Sequence, residues 1–474
     1  MNEINDKASL ILQIFRDVLK NDKISFEDDF FAVGGDSKMA MQIMAKIRES
    51  HLNISLSKFL SCRSVKDVVE AVNGEMIDYT SLIDSLIDCM ETKEIVDNKP
   101  STTVPCISGK KTYKSVLLTG ATGYLGSHIA LQLLQQTESE IYLLVRGESI
   151  DICRERIRSV WSRYHGEDIL EKYDKRLYVI QGDVSKNKLG LKAIEYNDMA
   201  KKIDVIIHSA AVVSHIETWE KYKSANIEGT ENILKFAMYV KKKDVNYIST
   251  IATEITPERL CTMEAFTEES ILEEDSPILY VKSKIACEKL LDTYRKRGCN
   301  IKIFRMGFLI QDYNTGIFQK NMEENGFFKI ITLLKKMKVF PNIKEKMIDL
   351  TYVNQAADAV VKLSLQEDNI NTYHIYNPSK VSISDIGVEF KKINPEIQVL
   401  EMDEYREYLY SNYSKYKEEL EQLSLILMTD SEININVFGL SRNYLTMELL
   451  SSFNFEWSTW DNKTVNDMYR IAEV

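Results

Sequence analysis

The 474-residue chain is 44% apolar and 28% charged, with a formal net charge of −11. That length exceeds one ordinary core and predicts two or three domains; the acidic balance, without a dense basic face, excludes a nucleic-acid binder, and no apolar run is long enough to span a bilayer. No signal peptide is evident, and seven scattered cysteines without a Cys-x-x-Cys pair and six dispersed histidines predict a reducing, cytoplasmic setting and no metal site.

Residues 1–75 read as a small helical bundle. Ile11, Ile14, Phe15 and Val18 mark a first helix, and Ser64–Val72 a last one. Between them runs Asp29-Phe-Phe-Ala-Val-Gly-Gly-Asp-Ser37, followed by Ala40, Ile43, Met44 and Ile47 at helical spacing. A serine there is either the N-cap after a glycine turn or a hydroxyl carrying a phosphodiester, since the unpaired N–H groups and the dipole of a helix start favour negative charge. The run resembles the phosphopantetheine attachment site of a peptidyl carrier domain, Asp-x-Phe-Phe-x-x-Gly-Gly-Asp-Ser. The resemblance implies that Ser37 bears 4′-phosphopantetheine, installed by a separate phosphopantetheinyl transferase. From 76 to 113 the pattern loosens into a linker, with a short helix at Ser81–Met90 and a Pro-flanked polar stretch at Asp97–Pro105.

After residue 113 the signature changes. Apolar strands are predicted at Val116–Thr119, Ile141–Val145, Leu177–Ile180, Val205–His208, Val245–Ser249 and Ile301–Phe304, separated by helices such as Ser127–Gln135 and Thr230–Val240. This alternation specifies a doubly wound parallel sheet of Rossmann type over 114–310. Lys241-Lys-Lys243 reads as a solvated helix end. Beyond 310 the sequence is mainly helical, with an isolated strand at Tyr373–Tyr376, and 311–474 is expected to form a substrate-binding subdomain. Tyr405, Leu409, Tyr413 and Tyr416 fit one helical stripe packed on the sheet; the alternative is a lid or carrier-docking surface.

Strand 116–119 runs into Gly120-Ala-Thr122-Gly123-Tyr124-Leu125-Gly126 and then a helix. The first glycine permits the turn, the second lets backbone approach a pyrophosphate, and the third lets the helix pack closely. The next strand ends at Arg146, where an NAD enzyme usually places a carboxylate; an arginine there accommodates the 2′-phosphate of NADPH. Arg156 is a second candidate phosphate contact. Asp183 and Val184, after Gly182, are placed near the adenine, and Ser209, Ala210 and Ala211 beside the nicotinamide ribose.

Tyr280 and Lys284, four apart, share one helix face. A neighbouring amine lowers a phenol's pKa, so that the hydroxyl can give a proton to a carbonyl gaining a hydride. Thr250 supplies a second hydrogen bond to the same oxygen. Thr250, Tyr280 and Lys284 match the catalytic triad of extended short-chain dehydrogenase/reductases, and Asn226 matches that family's helix asparagine, a more structural position. More narrowly, the motifs Leu-Leu-Thr-Gly-Ala-Thr-Gly-Tyr-Leu-Gly, Leu-Leu-Val-Arg, Gly-Asp-Val, His-Ser-Ala-Ala, Tyr-Val-Lys-Ser-Lys and Tyr-His-Ile-Tyr-Asn-Pro378 resemble, in order and spacing, the terminal thioester reductase domain of non-ribosomal peptide synthetases, shared with carboxylic acid reductases. Ser214-His215, where relatives carry Asn-His, and Arg305-Met-Gly-Phe-Leu-Ile-Gln311 depart from that pattern.

The resemblance implies NADPH-dependent reduction of a carrier-bound peptidyl or acyl thioester to an aldehyde and a free pantetheine thiol, with further reduction to the alcohol open. Two rivals stand beside it: a nucleotide-sugar epimerase or dehydratase, and a non-catalytic NADP-sensing protein. Ser37 and Arg146 speak against the first, and the intact Thr250–Tyr280–Lys284 set against the second. With no adenylation or condensation domain before the carrier, loading is expected from upstream modules or loading enzymes, and the chain is expected to be a fragment of a longer assembly line.

Overall fold

A computed structural model describes residues 2–30, 64–72, 103–213, 217–254, 265–270, 278–322, 325–344, 347–429 and 440–472, with single residues or short runs between 33 and 95 and at 276. Gly34 to Ser37, Ala40, Ser214 and His215 lie outside the described residues. Two compact units divide the chain. One joins Met1–Glu91 to Leu400–Ile435, and the other joins Thr92–Val399 to Asn436–Val474. The stretch expected to form one C-terminal subdomain is thus shared between them.

In the first unit, helix α1 (Asn2–Leu19) buries Ile11, Ile14 and Phe15, while Ile43, Met44 and Ile47 add the stripe expected after Ser37. Phe15, Phe30 and Phe59 form an aromatic cluster with ring centroids 5.7 to 6.0 Å apart. Helix α2 (Val65–Ala71) starts at a reciprocal cap: the Asp67 N–H donates to Ser64 Oγ at 3.2 Å and the Ser64 N–H to Asp67 Oδ2 at 2.9 Å. Such caps contribute about 1 kcal/mol. Ile83, Leu86, Ile87 and Met90 are helical and buried, as the linker helix predicted. Helix Met402–Asn412 belongs here too, with Tyr405 and Leu409 buried. The tyrosine stripe therefore lies in this unit and not, as expected, on the sheet; the Tyr410 hydroxyl donates to Asp84 at 2.6 Å, a polar match that the helical stripe alone does not reveal.

The second unit is built on seven parallel strands: β1 (Ser115–Thr119), β2 (Glu140–Val145), β3 (Leu177–Gln181), β4 (Val205–His208), β5 (Asp244–Thr250), β6 (Ile301–Met306) and β7 (Thr372–Ile375). Their spatial order is β7-β6-β5-β4-β1-β2-β3, so the winding reverses between β1 and β4. Side chains alternate between two cores. Val116, Leu118, Ile141, Leu143, Val205 and Ile207 face one side with helix α3 (Tyr124–Gln136), whereas Leu117, Leu144, Ile206, Val245 and Ile303 face the other with helices α4 (Gly229–Met238) and α5 (Leu279–Lys296). Truncating any of these to alanine costs about 2–5 kcal/mol.

Two expectations are corrected. Tyr373 is not in an isolated strand: Thr372–Ile375 pairs in parallel with Ile303–Met306, and the Tyr373 ring stacks on Phe304 at 4.9 Å. A helix at Val353–Ser364 makes the crossover, a βαβ step hidden in the sequence by short strands at Phe308–Ile310 and Leu350–Tyr352. Nor is Lys243 solvated. Only 1% exposed, its amine donates to the carbonyls of Phe236, Tyr239 and Lys241, capping the end of α4 from within. Burial, with Lys241 adding to it, pulls its pKa down to about 8. Among the described residues no helix is long and apolar enough to cross a membrane, and no group of three or more His, Cys, Asp or Glu is placed to hold a metal.

Candidate active site

Ligands of wound parallel sheets sit beyond the carboxyl ends of the strands, at the point where the winding reverses. The glycine loop leaves β1 there. Gly120 has φ +82°, and a Cβ on it would lie 2.7 Å from the Ala210 nitrogen, so only glycine lets this turn pass the segment after β4. A Cβ at Gly126 would fall 2.1 Å from the Gly120 carbonyl oxygen, which fixes how closely α3 meets the loop. The turn is closed by the Gly123 N–H donating to Gly120 O at 2.8 Å. Thr122 and Tyr124 are half-buried, Leu125 is buried, and the exposed Gly123 opens the α3 N-terminus. The Tyr124 hydroxyl donates to the carbonyls of Ile310 at 3.0 Å and Ile317 at 2.9 Å, tying the loop's helix to the segment after β6.

Arg146 is exposed immediately after β2, and the Arg156 guanidinium donates to its backbone carbonyl. Arg146, Gly182, Asp183 and Lys186 line a cavity of about 740 Å³ at this end of the sheet. Asp183 Oδ1 accepts the Ser185 N–H and hydroxyl, at 2.9 and 2.8 Å, which shapes the turn that Val184 enters. Ser209, Ala210 and Ala211 follow β4. Asn226 holds that segment, accepting the Val212 N–H at 2.7 Å while its amide donates to Val212 O at 3.1 Å and Ser283 Oγ at 2.9 Å. These groups fit a dinucleotide: a tight glycine turn that Gly126 lets the helix approach closely, the helix N-terminus behind it, and a cation past the second strand.

Thr250 is the last residue of β5, and its Oγ1 accepts the Ala252 N–H at 3.2 Å. Tyr280 and Lys284 lie one turn apart on α5, both buried. The Lys284 amine donates to Ile248 O at 2.9 Å and to the Tyr247 hydroxyl at 3.2 Å, so α5 is pinned to the strand that carries Thr250. His208, at the end of β4, is fully enclosed; burial first, and the Lys284 charge second, push its pKa down to about 3 and keep it neutral. Its Nδ1 lies 2.7 Å from Thr119 Oγ1 and its Nε2 3.2 Å from Thr230 Oγ1.

Among the described residues, the predicted cofactor residues follow β1 to β4, with Arg156 on the helix after β2, and Lys284 joins the helix carrying Tyr280 to the strand that ends at Thr250; Ser37 lies outside the described residues. Sequence reading missed a buried ionic cluster behind Thr250, formed by Glu254, Glu288 and Arg305. The available signals were an arginine between Phe304 and Met306 in a strand sequence and a glutamate four residues past Lys284.

The family model described as Male sterility protein, an NAD-binding family, matches residues 118–360, and one described as Phosphopantetheine attachment site matches residues 9–72, the stretch containing Ser37. A linear gramicidin synthase polypeptide of Brevibacillus parabrevis is 28% identical over 397 residues, 82% of this chain and 8% of that protein. The L-2-aminoadipate reductase large subunit of Candida glabrata is 25% identical over 456 residues, 89% of this chain and 32% of that protein. The chain therefore spans a minor part of these curated relatives. The solved thiolation-reductase di-domain from an archaeal non-ribosomal peptide synthetase has the same fold, with a TM-score of 0.78 at 24% identity over 98% of this chain and 97% of that one. A match across over half of the sequence, on a sheet whose first crossover carries the glycine loop, shows that the chain belongs to the NAD-binding Male sterility protein family, joined to a phosphopantetheine-attachment segment.

Proposed function

We propose that the chain releases an acyl or peptidyl group, held as a thioester on 4′-phosphopantetheine at Ser37, by NADPH-dependent reduction to an aldehyde. The observation that carries this reading is the union, in one chain, of a phosphopantetheine-attachment segment and an NAD-binding sheet with Thr250 at the end of β5 and Tyr280 and Lys284 one turn apart on α5. The gramicidin synthase, the aminoadipate reductase and the thiolation-reductase di-domain support it.

Gly120, Gly123 and Gly126 with the α3 N-terminus hold the pyrophosphate, Arg146 meets the 2′-phosphate, and Asn226 fixes the segment beside the ribose. Bound NADPH supplies the hydride. Lys284, four residues from Tyr280, stabilises the phenolate, so the Tyr280 hydroxyl gives up its proton readily. Thr250, whose oxygen accepts the Ala252 N–H, directs its own proton to the substrate carbonyl oxygen. Together they stabilise the oxyanion as the carbonyl carbon is reduced, and Tyr280 protonates it to a thiohemiacetal. The hydroxyl proton then returns to the Tyr280 phenolate as C=O re-forms and the C–S bond breaks, and the departing thiolate takes up a proton to leave as the thiol. Upstream modules or loading enzymes supply the thioester, and a phosphopantetheinyl transferase supplies the arm. Arg146 and the attachment segment weigh against a nucleotide-sugar substrate.

The test is NADPH oxidation by the pantetheinylated, acyl-loaded protein. Tyr280→Phe should cut the rate by about 10³-fold with NADPH binding retained. Undiminished turnover rejects the role.

A further inference from the structure

Behind the Thr250 turn lies a buried ionic cluster that takes no direct part in the chemistry above. Arg305 on β6, Glu254 in the turn after Thr250 and Glu288 on α5 are 3%, 0% and 4% exposed. The guanidinium is a two-sided fork. Nη2 donates to Glu288 Oε2 at 2.7 Å and Nε lies 3.2 to 3.3 Å from both Glu288 oxygens, while Nη1 donates to Glu254. Nη1 also points at His374 Nε2, 3.4 Å away on β7, whose Nδ1 is 2.7 Å from the Arg442 carbonyl oxygen. Glu288 accepts the Ser249 hydroxyl, one residue before Thr250, and Thr253 Oγ1 donates to Thr250 O at 2.9 Å.

Glu288 continues the Tyr280–Lys284 stripe by one more helical turn. The fork therefore has one arm on the turn that carries Thr250 and the other on the helix that carries Tyr280 and Lys284. Packing does not require this. Phe304 and Met306 flank Arg305 on a strand whose other charged residue, Lys302, pairs separately with Asp368, and replacing buried ion clusters with apolar or neutral groups of like volume is often neutral or stabilising. A rigid fork does what packing does not: it fixes two polar segments in one relative position.

We propose that Arg305 is a positioning residue for the reduction, clamping Glu254 and Glu288 so that the Thr250 turn and the Tyr280–Lys284 helix keep the spacing needed to grip one carbonyl oxygen. The proposal rests on the functional reading above. Arg305 acts only through its two partners.

The experiment compares Arg305→Lys, which keeps charge but loses the fork, with the neutral set Arg305→Met/Glu254→Gln/Glu288→Gln in the pantetheinylated chain. Two readouts are taken: NADPH oxidation with the loaded thioester and with a small free aldehyde, and backbone hydrogen exchange at saturating NADPH. The neutral set is expected to fold, to bind NADPH within about threefold of wild type, and to lose about 10²-fold in kcat with little change in KM, the cost of a misplacement of order 1 Å. Arg305→Lys should fall between. Exchange should quicken by about tenfold in 249–254 and 279–288 and stay unchanged in β1–β3. A neutral set with wild-type kcat and wild-type exchange overturns the clamp, as does a loss shared equally by NADPH binding and KM. If the wild-type chain reduces neither substrate, the functional reading fails, and the exchange pattern alone decides on the clamp.

Discussion

The two halves of the sheet solve the problem of a precise site by opposite means. On the β1–β3 side, side chains are removed: Gly120, Gly123 and Gly126 let backbone stand where a ligand's phosphates would sit, and the recognition elements are N–H groups and a helix end. On the β5–β7 side, charged and polar side chains are buried and locked together, with Lys284 on the backbone of β5 and Arg305 forked between Glu254 and Glu288. One half binds by what it omits. The other orients by what it encloses.

That contrast can be broken experimentally. Beyond the loss expected for Tyr280→Phe, the next largest effect should come from the glycine half. In Gly126→Ala the new Cβ meets the Gly120 carbonyl oxygen at 2.1 Å, so NADPH affinity should fall by about 10²-fold, near 2.7 kcal/mol, in a fluorescence titration. The residual rate at saturating NADPH should stay close to wild type, because the β5–β7 side is untouched. A fall in kcat with unchanged affinity would contradict the division.

Arg146→Ala should have a smaller effect. Losing one charge-assisted contact to a phosphate removes about 1.5–3 kcal/mol, so the preference for NADPH over NADH should drop roughly 10- to 100-fold, read from kcat/KM with each. An unaltered preference would move 2′-phosphate recognition to other residues, Lys186 in the same cavity first.

The remaining effect is on stability rather than turnover, and it is read through pH. His208 has a folded pKa of about 3, below its ordinary 6.5, because burial opposes its charge. The unfolded chain therefore binds the proton more readily. His208's contribution is fully favourable above pH 6.5 and is lost as pH falls toward 3, with a slope of at most ~1.4 kcal/mol per pH unit. His165, held at about 4 by burial, has the same sign and remains in either protein. Urea unfolding of His208→Gln should therefore show a shallower acid slope than wild type, and identical slopes would refute it.

The comparison also explains what the sequence could reveal. The glycine loop is seven contiguous residues between a strand and a helix, so its geometry is written locally, and Arg146 is placed by the end of the following strand. Tyr280 and Lys284 share a helix face by spacing alone. Arg305 meets partners 51 and 17 residues away, Lys302 reaches Asp368 across 66, and His374 enters the sheet only once a late crossover places β7 beside β6. Those pairings depend on topology that no local pattern encodes. Lys243 misled for the same reason: a run of three lysines looks solvated, yet three carbonyls at a helix end capture one of them. The tyrosine stripe likewise had its buried face right and its partner wrong, since its helix belongs to the unit formed with Met1–Glu91, over three hundred residues earlier.

The most direct measurement is the mass of what leaves the protein. Pantetheinylated chain loaded with an acyl group and supplied with NADPH should release the corresponding aldehyde, or the alcohol from a second round, while the arm on Ser37 returns to its free-thiol mass. Release of the carboxylic acid without NADPH consumption, or an acyl group that remains on the arm, would contradict reductive release.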